Sequence, residues 1–336
     1  MSSCFAFVAK TLHIKIVICG VLCYDIGMKN LFLNSHTHKI LNNDLQNNML
    51  NHSYMLISTD RLLINEYSRF VAQEIMCDKL CDSCNTCLKI KNHNHSDVME
   101  LPQNDKGIMT SDADKIVDDS YVLPMEGDKK IYILHNFDEC SVAVQNKLLK
   151  TIEEPSKSVI FILTCVNEHT VLPTIRSRCK KITEPALSDD ALKGFLCANF
   201  EVEKASLEKI IRISNGNLTM AEDYVTNSRL LAMRDLCEEL ISNMKSSADV
   251  LSYSVKIQKY KQNIDEFLNV LLLVVRDELV ALVENKKVSQ YSKSALVEST
   301  KIIEEGIKKH KSNCSINSVV EGVLMGMLEV KFKCQK

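Results

Sequence analysis

Residues 131–163 read IYILHNFDECSVAVQNKLLKTIEEPSKSVIFIL. Two unbroken apolar runs, Ile131-Tyr-Ile-Leu134 and Val159-Ile-Phe-Ile-Leu163, bracket a helical pattern marked by Val142, Val144, Leu148, Leu149 and Ile152. Runs without polar alternation belong to strands buried on both faces, as in parallel sheets. Pro155 lacks an N–H and its ring collides with the preceding turn, so the helix must stop before it. Strand, helix and strand in this order make a crossover and predict a parallel α/β architecture. Tyr54-Met-Leu-Ile57 supplies a third run of the same kind.

Farther out the pattern changes. A chain of 336 residues is long enough for two or three domains at roughly 150 residues each. All five prolines (Pro102, Pro124, Pro155, Pro173 and Pro185) precede a tail that contains none and is therefore predicted to be helical. Ser188 caps a helix whose first turn carries Asp189 and Asp190, and the helix bearing Ile210, Ile211 and Ile213 stops at Asn215-Gly216 in a left-handed turn. Periodic stretches at Leu230 to Met244, Ile264 to Val283 and Ser315 to Val330 predict a helical bundle, with Phe267, Val270, Leu271, Val274 and Val275 on one apolar face. Gly322 and Gly326 are read as a close helix-packing pair.

Composition excludes several classes. Nine glycines among 336 residues fall well below the usual share of about 7%. None lies between Met28 and Lys106, and neither G-x-G-x-x-G nor G-x-x-x-x-G-K occurs. Phosphate-cradling loops need glycine so that backbone N–H groups can approach the anion, which argues against an ordinary nucleotide-binding enzyme. A net charge of −2 supplies no general field for nucleic acid, and no run of about 18 apolar residues is present to span a bilayer. Residues 1–27 are apolar but interrupted by Lys10, His13 and Lys15, and they lack a small-residue cleavage pattern. They read as an N-terminal extension before a domain that starts at Met28, and a chain beginning there is predicted to fold.

Of the 14 cysteines, four crowd together as Cys77, Cys81, Cys84 and Cys87. Four thiolates at this spacing can surround one tetrahedral ion at about 2.3 Å each, leaving no open position for catalysis. The reading is a structural Zn²⁺ in a reducing cytoplasm. Cys77 falls within reach of the preceding helix, and His93 or His95 is the alternative fourth ligand. His36, His38, Asn42 and Asn43 read as solvated helix residues, and Lys129-Lys130 and Lys180-Lys181 as strand ends in water.

Asn146-Lys-Leu-Leu-Lys-Thr-Ile-Glu-Glu-Pro155, a strand, and then Leu172-Pro-Thr-Ile-Arg-Ser-Arg-Cys179 closely resemble the N-x-L-L-K-x-L-E-E-P and L-x-T-I-x-S-R-C signatures of the bacterial clamp-loader AAA+ family, the delta-prime and gamma/tau subunits of DNA polymerase III. The cysteine knuckle, His95-Ser-Asp97 and Pro124-Met-Glu-Gly127 occur in the family's order, and Arg276-Asp277 resembles a pair in the delta-prime collar. The resemblance runs from about Met28 to Pro185 and more weakly beyond. It implies a degenerate AAA+ P-loop-like α/β domain at 28–185 with a zinc knuckle at 77–87. An all-α lid at 186–228 and an all-α oligomerisation collar at 229–336 follow, after the extension at 1–27.

Within that resemblance, Ser58, Leu63, Ile64 and Asn65 stand where the Walker A loop has its two glycines, lysine and hydroxyl residue. His135-Asn136 replaces the Walker B acidic pair, and Asp138 and Glu139 lie too late to serve. Met220 stands where an arginine often contacts nucleotide, and the sensor region at Thr164 to Asn167 diverges. No ATP binding or intrinsic ATPase is expected. Arg178, within Ser177-Arg178-Cys179, matches the arginine that reaches a neighbouring subunit's nucleotide, where a guanidinium neutralises charge on the transferred phosphoryl group; Arg176 reads as structural. The implied role is a cytoplasmic bacterial delta-prime-like subunit that assembles with gamma/tau and delta subunits, so that the loader places a sliding clamp on primer-template DNA, with no membrane involved. The rivals are a gamma/tau-type ATP-hydrolysing motor and a zinc-knuckle DNA-binding scaffold.

Overall fold

A computed structural model describes residues 24, 26–77, 80–102, 107–284, 289–312 and 314–333. They divide into two compact units, Met1–Val225 and Thr226–Lys336. In the first unit, α1 (residues 26–33) and α2 (His36–Gln46) lead into β1 (Ser53–Ile57), α3 (Arg61–Met76), α4 (Asn85–Lys91), β2 (Val98–Leu101) and α5 (Thr110–Asp119). Next come β3 (Lys130–Leu134), α6 (Val142–Glu153), β4 (Val159–Cys165), α7 (Pro173–Arg176) and β5 (Lys180–Thr183). Three helices close the unit: α8 (Asp189–Asn199), α9 (Lys204–Ser214) and α10 (Leu218–Thr226).

The strands form one parallel sheet in the order β2-β3-β4-β1-β5. Its three central members are the apolar runs of the sequence, in a register that sets Met55 beside Leu163 and Ile133 beside Ile162. The crossover is present as expected: Ser141 Oγ accepts from Val144 N at the start of α6, and Glu154 caps its end ahead of Pro155. The edge strands β2 and β5 lack the signature of the centre. Each buries a single apolar side chain, Leu101 and Ile182, so no continuous run forms.

The chain's start differs from the expectation. α1 begins ahead of Met28, which is itself buried, and the Tyr24 ring meets Phe195 edge-on at 5.3 Å. A Cβ on Gly27 would lie 2.9 Å from Asn199 Nδ2. The boundary at Met28 therefore falls inside a packed helix, and cutting there removes contacts to α8.

Several charged side chains also differ from the solvated reading. Lys130 is buried, with Nζ donating to Asp119 Oδ1 at 2.7 Å, and Lys180 Nζ pairs with Asp44 Oδ1 at 2.5 Å. His38 is part-buried with Nδ1 3.0 Å from Glu74 Oε2, whereas His36 stays exposed as expected, its Nδ1 3.0 Å from Thr183 O. A buried charge is tolerated only when paired, and a sequence pattern does not reveal which residue is the partner, whether 11 positions away, as for Lys130, or 136, as for Lys180.

The second unit is all helical: α11 (Ser228–Asn243), α12 (Ser247–Ile257), α13 (Ile264–Val283), α14 (Lys293–Lys311) and α15 (Ile316–Lys333). The predicted face of α13, Phe267, Val270, Leu271, Val274 and Val275, is buried in a core shared with Leu324 and Met327 of α15. Close approach of α14 and α15 runs through Gly306 and Gly326: a Cβ on Gly306 would meet Val323 at 2.4 Å, and one on Gly326 would meet Ile302 at 3.1 Å. Gly322 has open space beside it, so the expected Gly322/Gly326 pair is corrected to one glycine on each helix. Buried Arg234 bonds Asp277 and Glu238, and buried Lys331 donates to Met244 O at 2.6 Å. Among the described residues, no helix is long and apolar enough to cross a membrane.

Candidate functional site

The cysteine cluster is built by two helix ends. Cys77 is the C-cap of α3 and Cys84 the N-cap of α4, whose Sγ accepts from Cys87 N at 3.4 Å. The four Sγ atoms lie within 4.8 Å of one another, and Cys77 Sγ stands 3.8 Å from both Cys81 Sγ and Cys84 Sγ. A tetrahedron of thiolates about 2.3 Å from a central ion has edges of about 3.8 Å, so the donor set fits a metal ion. N–H groups of Ser83 and Cys84 aimed at Cys81 lower its thiol to about 6, which favours the thiolate form that a metal requires. The histidine alternatives are engaged elsewhere: His93 Nδ1 with Glu100 Oε2 at 2.5 Å, and His95 Nδ1 with Asp97 N at 3.1 Å.

Asp97 also joins two of the sequence motifs. Its buried carboxylate accepts from Met125 N at 2.6 Å, Glu126 N at 2.7 Å and Gly127 N at 3.2 Å, fastening the Pro124-Met-Glu-Gly127 turn beside β2.

At the strand-to-helix turn, β1 ends at Ile57 and α3 starts at Arg61, leaving only Ser58-Thr59-Asp60 between them. The turn carries no glycine. Leu63 and Ile64 are buried apolar residues of α3, and Ser58 is buried too. Asn65 Oδ1 accepts from Thr164 Oγ1 at 2.7 Å, Thr164 Oγ1 accepts from Asn136 N at 3.0 Å, and Asn65 Nδ2 donates to Asn136 Oδ1 at 3.5 Å. Residues from three separate places in the chain thus meet in a neutral hydrogen-bonded network. None of its three side chains carries a charge.

His135 Nε2 lies 2.5 Å from Glu100 Oε1. Burial alone would raise the Glu100 carboxyl, but His135, Arg69 and His93 outweigh it and hold the group at about 2. Asp138 Oδ2 accepts from Val166 N at 3.2 Å and Asn167 N at 3.0 Å, while the exposed Glu139 pairs with Arg61.

Arg178 follows α7 and keeps 42% of its side chain exposed. Its Nε lies 3.0 Å from Glu153 Oε1, and Nη1 donates to Thr174 O at 2.9 Å. Glu153 and Arg178 come from the two different signature segments, and the fold brings them into contact. Neighbouring Cys179 is buried, and burial, helped by Cys165, pushes its thiol up to about 12. Sequence reasoning passed over Asp60, Glu153 and Glu100, because single acids without a recurring pattern carry no local signal.

A five-stranded parallel sheet flanked by helices, with a short strand-to-helix turn at the end of β1, and a separate helical unit define an α/β protein with an all-α C-terminal region. Residues 33–187 match the family described as DNA polymerase III, delta subunit, and the chain is similar to clamp-loader subunits of the delta-prime and gamma/tau kind. It is 23% identical over 302 residues to subunit delta' of DNA polymerase III from Bacillus subtilis, covering 87% of this chain and 88% of that protein. It is 25% identical over 232 residues to subunit tau/gamma from Haemophilus influenzae, covering 66% of this chain and 33% of that protein, about a third of the relative's length. Among solved structures, a gamma subunit-related protein from Thermotoga maritima shares 16% identity at a TM-score of 0.44, covering 84% of this chain and 95% of that one.

Proposed function

We propose that the chain is a delta-prime-like, non-hydrolysing subunit of a bacterial replicative clamp loader. It assembles in the cytoplasm with gamma/tau and delta subunits and presents Arg178 to a neighbour's ATP while the loader places a sliding clamp on primer-template DNA. The observation that carries this reading is the neutral Asn65, Asn136 and Thr164 network at the nucleotide position, in a chain that leaves Arg178 at its surface. Hydrolysis needs charge neutralisation at the phosphates, which that network cannot give, whereas a guanidinium donated across an interface can. The part of the chain up to residue 185, with α1 included, acts as the AAA+ domain with Zn²⁺ held by Cys77, Cys81, Cys84 and Cys87, residues 186–228 as the lid and 229–336 as the collar.

Two measurements test the proposal. Calorimetry of the isolated chain with ATP and magnesium is expected to give no binding heat; measurable binding favours the gamma/tau-type motor instead. In a loader reconstituted with gamma/tau and delta subunits, Arg178→Ala is expected to slow hydrolysis at the site it serves by on the order of 10³ while the mass of the complex is unchanged. Unaltered DNA-stimulated ATPase removes the finger role. Tight DNA binding by this chain alone supports the scaffold reading.

A further inference from the structure

Asp60 is 1% exposed in the turn between β1 and α3, and its carboxylate is shared by two helix N-termini. Oδ1 accepts from Leu63 N of α3 at 3.2 Å and from Thr219 Oγ1 of α10 at 2.6 Å. Oδ2 accepts from Leu218 N and, at 3.3 Å, from Thr219 N.

We infer that Asp60 is an internal stand-in for a bound anion, closing the strand-to-helix turn and fastening α10 to the sheet without any ligand. The comparison with a nucleotide phosphate rests on the proposed reading of residues 58–65; the tether itself does not.

The first N–H groups of a helix have no intrahelical acceptor, and the helix dipole makes that end positive, so it attracts an anion. Two such ends converging on one buried point leave several unmet donors and two like partial charges facing each other. A single carboxylate between them satisfies both, and its own burial is compensated by charge-assisted hydrogen bonds.

The turn ahead of α10 is shaped for this approach. Gly216 has φ +77°, and a Cβ there would meet Leu187 O at 2.3 Å, so only glycine lets the chain reverse so tightly. Asn217 then stitches both sides, with Nδ2 donating to Thr59 O at 3.4 Å and Oδ1 accepting from Met220 N at 2.8 Å. The start of α10 is held against the strand-to-helix turn by the chain's own acid.

Hydrogen exchange on the full-length chain tests this. In Asp60→Asn, which keeps the shape but not the charge, amides of residues 218–221 are expected to exchange about tenfold faster or more, while those of β3 and β4 are unchanged. Thr219→Val is expected to speed the same amides without affecting residues 63 and 64. It gives the answer on its own if the Asp60 variant does not fold. Unchanged protection of residues 218–221 in Thr219→Val overturns the tether. ATP binding by the wild-type chain would refute the non-hydrolysing reading while leaving the exchange result to judge the tether separately.

Discussion

On α10, the Glu222 carboxyl is driven up to about 7 by burial, with Asp60, Asp223 and Glu66 adding negative charge nearby and a hydrogen bond from Tyr24 opposing them. The folded state therefore holds this proton more tightly than the unfolded chain, whose group titrates near 4.5. The contribution to stability is therefore fully present below about 4.5 and is lost as pH rises through about 7. Glu222→Gln is expected to flatten that part of the pH dependence of the first unit's unfolding, read by denaturant midpoints across the range; an unchanged profile would remove Glu222 as its source. Glu100 works in the opposite direction and in a separate window, because its carboxyl is held at about 2 and its contribution disappears only as pH falls toward that value. Glu153 acts at the same scale on Arg178. On the proposed finger role, Glu153→Gln keeps the side chain's length but removes the charge that holds Nε, so the loader's ATPase is expected to fall by less than in Arg178→Ala. A loss equal to that of the arginine variant would mean that Glu153 does more than orient the guanidinium.

The knuckle and the helix pair of the second unit are decided at the level of elements. α4 spans Asn85–Lys91, too short to hold together without tertiary support, and its N-cap is one of the four clustered thiols. If zinc occupies the cluster, Cys84→Ser weakens the metal site and substitutes a hydroxyl cap. The chain is expected to release its zinc to a chromogenic chelator faster and to lose exchange protection in α4; equal release rates would separate Cys84 from the metal. Between α14 and α15, Gly306 leaves no room for a methyl group against buried Val323. Gly306→Ala gains helix propensity but overpacks the contact, so a net loss on the order of 1–3 kcal/mol is expected in the second unit's unfolding free energy. An equal or higher denaturation midpoint would show that Val323 yields. The edge strands mark where sequence reading failed at this scale. A strand with one buried side chain has no run to read, and β2 and β5 become strands because their backbones pair with β3 and β1.

At the scale of the whole molecule, the two units carry separate cores, one around Tyr132, Phe161 and Leu163 and the other around Phe267, Leu271 and Met327. A fragment of residues 226–336 is therefore expected to be helical by circular dichroism and to melt cooperatively; a gradual, featureless melt would show that it needs the rest of the chain. The sequence by itself determined what depends on neighbours along the chain: the three central strands, the crossover that stops at Pro155, the cysteine spacing, the left-handed stop at Asn215 and Gly216, and the proline-free helical tail. Each is a local period or a backbone restriction, legible within a few residues. Tertiary structure alone decided which distant groups meet. Asp60 and Leu218 are 158 residues apart, Asn65 and Thr164 are 99 apart, and Lys180 finds Asp44 from 136 residues away. Such pairs are set by where the sheet order returns the chain, and the burial that makes them strong exists only once the sheet has formed.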